Sequence, residues 1–268
     1  MRHWIFWVAL LSPVTAFAVT EPCRLGKLSV SAVSNAVSSF NQKHWAIVDT
    51  SKVLKQNGKP DRKLIEALRL GYDDIYQGNA IKPEAGRFLI ANLPCSPNID
   101  ASPSRIRKLP PEQLAQVNAW ALEMLRIAKE ATGEDLVVAN VSVGRGFSAG
   151  DQRGPVIHAD DRSTYIHALT SLEGPQTLLF PDGQNIAQHI ITDIDGAGVM
   201  TLKKIGTDDK AFQSAATPVQ PENGKTVMLT GWGFAYGRDG VLPTYHASPR
   251  NSGMDRLTLF VNIQPRAK

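Results

Sequence analysis

"PVIHADDRSTYIHALTSLEGPQTLLFPDG", residues 155–183, is the stretch on which the reading of this chain turns. His158 and Asp160 stand two residues apart near its start, and β-type residues then alternate up to a turn at Pro181-Asp182-Gly183. On a strand, residues i and i+2 face the same side. One imidazole and one carboxylate therefore project together, which supplies two ligands of a metal-binding face. The competing reading is a hydrogen-bonded pair at the polar end of a strand.

Working outward, everything after Gly133 has the same texture. Short β-type runs occur at 136–147, 155–160, 163–172, 176–181, 187–192, 199–206, 225–231, 244–249 and 256–263, separated by Gly, Pro and Asp turns. Many short strands with frequent turns predict a sandwich or barrel. The longest irregular stretch, 207–224, is expected to loop over one mouth of it.

Residues 19–134 read as mainly helical. A helix is predicted over 29–40. A second is predicted over 61–76, where Leu64, Ile65, Leu68, Leu70 and Ile75 fall near helical spacing. The clearest helix is 110–133, with proline at its start, Glu112 in its first turn and Gly133 just past its end. Its stripe of Leu114, Val117, Ala121, Met124, Leu125 and Ala128 is read as a packing face. The Ser- and Pro-rich stretch 96–111 is read as a loop. The fold class is thus α+β, a helical N-terminal part followed by a β core, with divisions at 1–18, 19–134 and 135–268.

A metal face built on His158 and Asp160 needs a second histidine from elsewhere. The candidates are His167, His189 and His246. Two histidines and one carboxylate leave the remaining coordination positions open, which suits Fe(II) oxygenases. His246 is preferred. Arg256 follows it at the start of the last apolar strand, and Thr258 shares the face of Arg256. An arginine fork beside a hydroxyl holds a distal carboxylate. His167 shares a strand face with Tyr165 and Leu169 and is read as a satisfied core histidine. Tyr165 is read as core or as lining a cosubstrate pocket. Trp232, in "GWGF", is read as a loop aromatic before a substrate platform, and Arg145 is a candidate for the barrel mouth.

His-x-Asp, a late His and an Arg-x-Thr about ten residues on resemble the Fe(II)/2-oxoglutarate-dependent dioxygenase superfamily. "GPQTLLFPDG" is similar to the turn after that family's central strands, and "NGKTVMLTG" to the strand before its distal histidine. The resemblance covers roughly residues 136–263 and implies a double-stranded β-helix (jelly-roll) core. It implies Fe(II) held by His158, Asp160 and His246. It further implies 2-oxoglutarate as cosubstrate, with its far carboxylate on Arg256 and Thr258. The family does not fix the substrate, which is a small molecule or a peptide or protein side chain. The alternative function is a cupin-like protein that binds a metal or small ligand without turnover, and a third reading is a secreted interaction protein that uses the barrel as a scaffold.

Composition bounds these readings. Of 268 residues, 43% are hydrophobic and 20% charged, the range of an ordinary globular protein. The net charge of +4 comes without a long basic run, so nucleic acid is not an expected partner. The leader "MRHWIFWVALLSPVTAFA" has a short positive start, an apolar run and Ala16-Phe17-Ala18 at its end, the pattern of a secretory signal peptide. Its apolar run falls short of the roughly 20 residues that span a bilayer. A periplasmic or secreted protein beginning at Val19, with no membrane span after leader removal, is expected. The two cysteines, Cys23 and Cys95, are expected to pair in an oxidising compartment. Their bond would close a loop of about 70 residues and contribute about 4 kcal/mol in the chain-entropy model.

Overall fold

The computed structural model describes residues 28–56, 59–76, 85–90, 106–146, 158–182, 190–194, 200–204, 218–222, 224–247 and 256–266. The leader, Cys23, Cys95 and His189 lie outside the described residues.

Helices form in the three expected regions, the first running to Lys43, three residues beyond the expected end at 40. Helix α1 (Val30–Lys43) starts at Ser29, whose hydroxyl accepts the Ala32 N–H at 3.2 Å, and ends at His44, a left-handed residue at φ 60°. It buries Val33, Ala36 and Phe40. Helix α2 (Ser51–Leu54) is a single turn. In α3 (Arg62–Tyr76), Leu64, Ile65 and Leu68 are buried. Leu70 is 65% exposed, because a residue two positions from Leu68 on a helix lies on nearly the opposite side. Helix α4 (Pro111–Thr132) closes on Gly133 at φ 69°, a conformation that costs a glycine least.

The β core is a seven-stranded sheet in the order β1 (Trp45–Asp49), β11 (Lys225–Thr230), β7 (Ile166–Glu173), β13 (Arg256–Pro265), β6 (Leu136–Gly146), β4 (Ala85–Ile90) and β5 (Ile106–Arg107). Every pairing in it is antiparallel except β4 with β5. Three of these strands, β1, β4 and β5, come from the N-terminal region. That region is therefore helical only in part: it also extends both edges of the core sheet.

Strand period 2 gives this sheet two faces. Leu257, Leu259, Val261 and Ile263 of β13 are buried with Trp120, Met124 and Ile127 of α4 and Phe40 of α1. Each such side chain, fully removed from water, contributes about 1.5–3 kcal/mol. The Trp120 indole N–H donates to Thr226 Oγ1 at 2.9 Å, tying α4 to β11. On the opposite face, Leu169, Val227 and Leu229 pack with Leu179, Trp45, Ile47 and Phe260. Leu179 belongs to a second, smaller layer, in which β8 (Leu178–Phe180) pairs with β12 (Tyr245–Ala247). Bridges His158↔His246 and Leu179↔Val219 extend that layer on both sides.

The remaining described strands are the pair β2 (Lys55–Gln56) with β3 (Lys59–Pro60) and the pair β9 (Ile190–Ile194) with β10 (Met200–Lys204). The last helical turn, α5, is Trp232–Ala235. No helix among the described residues is long and apolar enough to cross a membrane.

Candidate metal centre

The site is assembled where the small layer meets the turn that leads into β7. His158 N donates to His246 O at 2.9 Å and His246 N to His158 O at 2.8 Å. Residues that exchange both bonds sit directly opposite and project to the same side. Their rings lie 4.3 Å apart, tilted by 50°. Asp160, two residues beyond His158, joins them, with Oδ1 3.8 Å from His246 Nε2. One ligand atom from each of His158, Asp160 and His246 lies within 4.8 Å of the others. Donors about 2.1 Å from one ion lie up to about 4.2 Å apart, so small side-chain movements close this set onto a first-row metal.

The electrostatics suit a cation. Burial, which disfavours a proton on an imidazole, pushes His246 down to about 4, although the nearby Asp160 carboxylate opposes this. Burial also works against ionised Asp160, but His246, His167 and His158 outweigh it and hold the carboxyl well below its ordinary range. At neutral pH the pair is therefore a neutral imidazole and a carboxylate, the protonation states in which both ligate metals.

The turn bearing Asp160 is anchored by backbone contacts. Trp232 N donates to Asp160 O at 3.0 Å, Gly231 N to Tyr165 O at 3.1 Å and Gly233 N to Thr164 O at 3.0 Å. These approaches leave no room for side chains. A Cβ on Gly231 would lie 2.4 Å from Thr164 O, and one on Gly233 would lie 2.6 Å from Arg162 O. Asp161 Oδ1 accepts from Ser163 N and Oγ at 2.8 and 2.6 Å and tightens the same turn.

Arg256 opens β13 on the face away from the helices and is 8% exposed. Its Nε donates to Ser171 Oγ at 3.1 Å and Pro175 O at 3.0 Å, and its Nη2 donates to Thr177 Oγ1 at 2.6 Å. Thr258 Oγ1 lies 3.2 Å from the same Ser171 hydroxyl. Arg256 and Thr258 thus project to one side, towards one polar group. A register shift between Leu257 and Thr258 places Ser171 opposite Thr258.

The other candidates fall elsewhere. His167 does not join the three convergent donors; its Nδ1 lies 3.0 Å from Asp160 Oδ2. It is a satisfied interior histidine, as its strand face implied, but its partner is the carboxylate of the site, which no local pattern indicates. Tyr165 faces the helical layer, where its hydroxyl meets Glu134 and accepts from Arg238 Nη2 at 2.6 Å. Trp232 serves the site through its backbone. The Arg145 side chain lies outside the described residues. The tight packing of Gly231 and Gly233 has a local signal in "GWG", where paired glycines mark close backbone approach.

The crystal structure of the non-haem alpha ketoglutarate dependent epimerase SnoN from nogalamycin biosynthesis matches this chain with a TM-score of 0.51 at 10% identity, over 88% of this chain and 84% of that one. The chain has the jelly-roll fold of such enzymes. SnoN in complex with Fe3+, alpha ketoglutarate and nogalamycin RO matches with a TM-score of 0.52, also at 10% identity, over 88% of this chain and 85% of that one. At this identity the likeness is one of fold. No protein-family model and no curated protein sequence matches the chain.

Proposed function

We propose that the chain is an exported non-haem Fe(II)/2-oxoglutarate-dependent dioxygenase that hydroxylates or otherwise oxidises its substrate. The observation that carries this reading is the convergence of His158, Asp160 and His246 across the His158–His246 bridge. Two imidazoles and one carboxylate fit Fe(II) and leave positions open for further ligands. His158, Asp160 and His246 would hold the ion, while Arg256 and Thr258 would hold the far carboxylate of 2-oxoglutarate. Together, bound iron and 2-oxoglutarate supply O₂-dependent oxidation coupled to decarboxylation of the cosubstrate to succinate.

The chain's own part is orientation. The paired backbones of His158 and His246 aim two imidazoles at one point. Ser171, Thr177 and the Pro175 carbonyl hold the Arg256 guanidinium in place. The buried surroundings strengthen both electrostatic interactions. The substrate belongs to either of two classes, a small molecule or a peptide or protein side chain.

The test is succinate release from 2-oxoglutarate by Fe(II)-loaded protein in air, beside the Asp160→Ala variant. Release by the wild type and its loss in the variant are expected. Tight metal binding without any succinate would favour the cupin-like binding protein instead. The leader sequence supports a periplasmic or secreted location. A mature chain starting at Val19, with Cys23 bonded to Cys95, is the expected mass-spectrometric result, and an intact Met1 start with two free thiols would refute export.

A further inference from the structure

The two oxygens of Asp160 face different histidines. Oδ1 lies towards His246, 3.8 Å from its Nε2, whereas Oδ2 lies 3.0 Å from His167 Nδ1. His167 stands in the middle of the seven-stranded sheet, opposite Leu229 on β11 and Asn262 on β13. Its side chain is 7% exposed, and its ring packs against Phe260 at 5.5 Å and 31°. Asp160, by contrast, sits in the turn before β7, outside any strand. An ionised carboxylate only accepts hydrogen bonds, so His167 Nδ1 carries the proton in this contact.

We propose that His167 is a positioning residue for the metal centre: its Nδ1–H holds Asp160 Oδ2, stops the carboxylate rotating and reserves Oδ1 for the ion. Asp160 is then a one-oxygen ligand whose orientation is set by the rigid sheet. The role rests on the metal-site reading above. Outer partners of ligating carboxylates typically contribute 10- to 100-fold in metal affinity.

The experiment is a Mn(II) titration of metal-free protein, followed by the electron paramagnetic resonance of the free ion. Wild type is compared with His167→Phe, which keeps a ring against Phe260 but has no donor, and with His167→Asn, which loses the ring but keeps an N–H near the Nδ1 position. Thermal unfolding of each metal-free variant establishes that it is folded. Binding about 10- to 100-fold weaker in H167F, with H167N close to wild type, is the expected result. Equal affinity in H167F and wild type would overturn the role while leaving the iron reading intact. So would H167N as weak as H167F, because ring shape would then be what matters. If H167F does not fold, H167N decides alone, and a loss of tenfold or more in it overturns the role. A wild type that binds no Mn(II) would overturn both proposals together.

Discussion

His158 and His246 exchange both of their backbone hydrogen bonds, at 2.9 and 2.8 Å, and so stand side by side on one face of the small layer. This single bridge turns a local His-x-Asp pattern into a three-donor group. His246 is also paired with Leu179 across β12–β8, so the bridge ties His158 to the edge of that layer.

Acid should destabilise the metal-free protein through His246. Its pKa falls from 6.5 in the unfolded chain to about 4 in the folded one. The unfolded state therefore takes up a proton first as the pH drops. The His246 contribution to stability is complete above pH 6.5 and is lost as pH falls towards 4, by roughly 3 kcal/mol for a shift of this size. Urea unfolding with chelator at pH 7, 5.5 and 4.5 measures the slope, and His246→Gln should flatten it. An unchanged slope in that variant would assign the acid sensitivity to another group.

Gly233→Ala should disturb the site without touching a ligand. Its methyl would meet Arg162 O and Thr164 O at 2.6 and 2.7 Å, and backbone cannot yield as a flexible side chain does. Overpacking of this kind costs about 1–3 kcal/mol. Lower thermal stability together with weaker Mn(II) binding is expected, because the displaced turn carries Asp160. Wild-type values for both would show that the turn relaxes freely.

Arg256→Leu should separate cosubstrate from metal. The guanidinium is buried among Ser171, Pro175 and Thr177, and none of the three metal donors is altered. Mn(II) affinity should persist. The Michaelis constant for 2-oxoglutarate should rise at least 100-fold, because a carboxylate left without its countercharge costs about 3–5 kcal/mol. Arg256→Lys should not restore it, since an ammonium lacks the planar fork. Turnover at an unchanged Michaelis constant would remove Arg256 from the cosubstrate site.

Tyr165→Phe should weaken the fold and spare the site. The hydroxyl joins Glu134 and Arg238, and the ring meets Phe234 edge-on at 5.2 Å. Glu134 and Arg238 remain paired with each other in the variant, so the loss should be about 1–2 kcal/mol. Calorimetric unfolding reads it. A change in the Michaelis constant for 2-oxoglutarate would instead place Tyr165 on the cosubstrate path.

Much of this was legible in the chain itself. The span of α3 follows from 3.6-residue spacing and that of α4 from Pro110 and Gly133 at its ends, signals that act within one or two turns, whereas α1 runs to Lys43, three residues past its expected end. Strand period 2 put Arg256 and Thr258 on one face, whereas Asp160 reaches His158 from a turn outside any strand, where Trp232 N holds its carbonyl. The helix and strand periods are consequences of backbone geometry over a few residues, and no partner is needed to read them.

Only the tertiary structure decided the rest. Trp45–Asp49, between two helices, becomes an edge strand because β11 offers it five residue pairs in register. Ala85–Ile90 joins the other edge through β6. His167, read from its strand face as a satisfied core histidine, finds its partner in the far oxygen of the Asp160 carboxylate. The reason is common to all three. A strand's side chains alternate regardless of its partner, but which strand lies opposite, and in which register, is set by hydrogen bonds and packing between distant segments. Such pairing leaves no trace in the residues on either side.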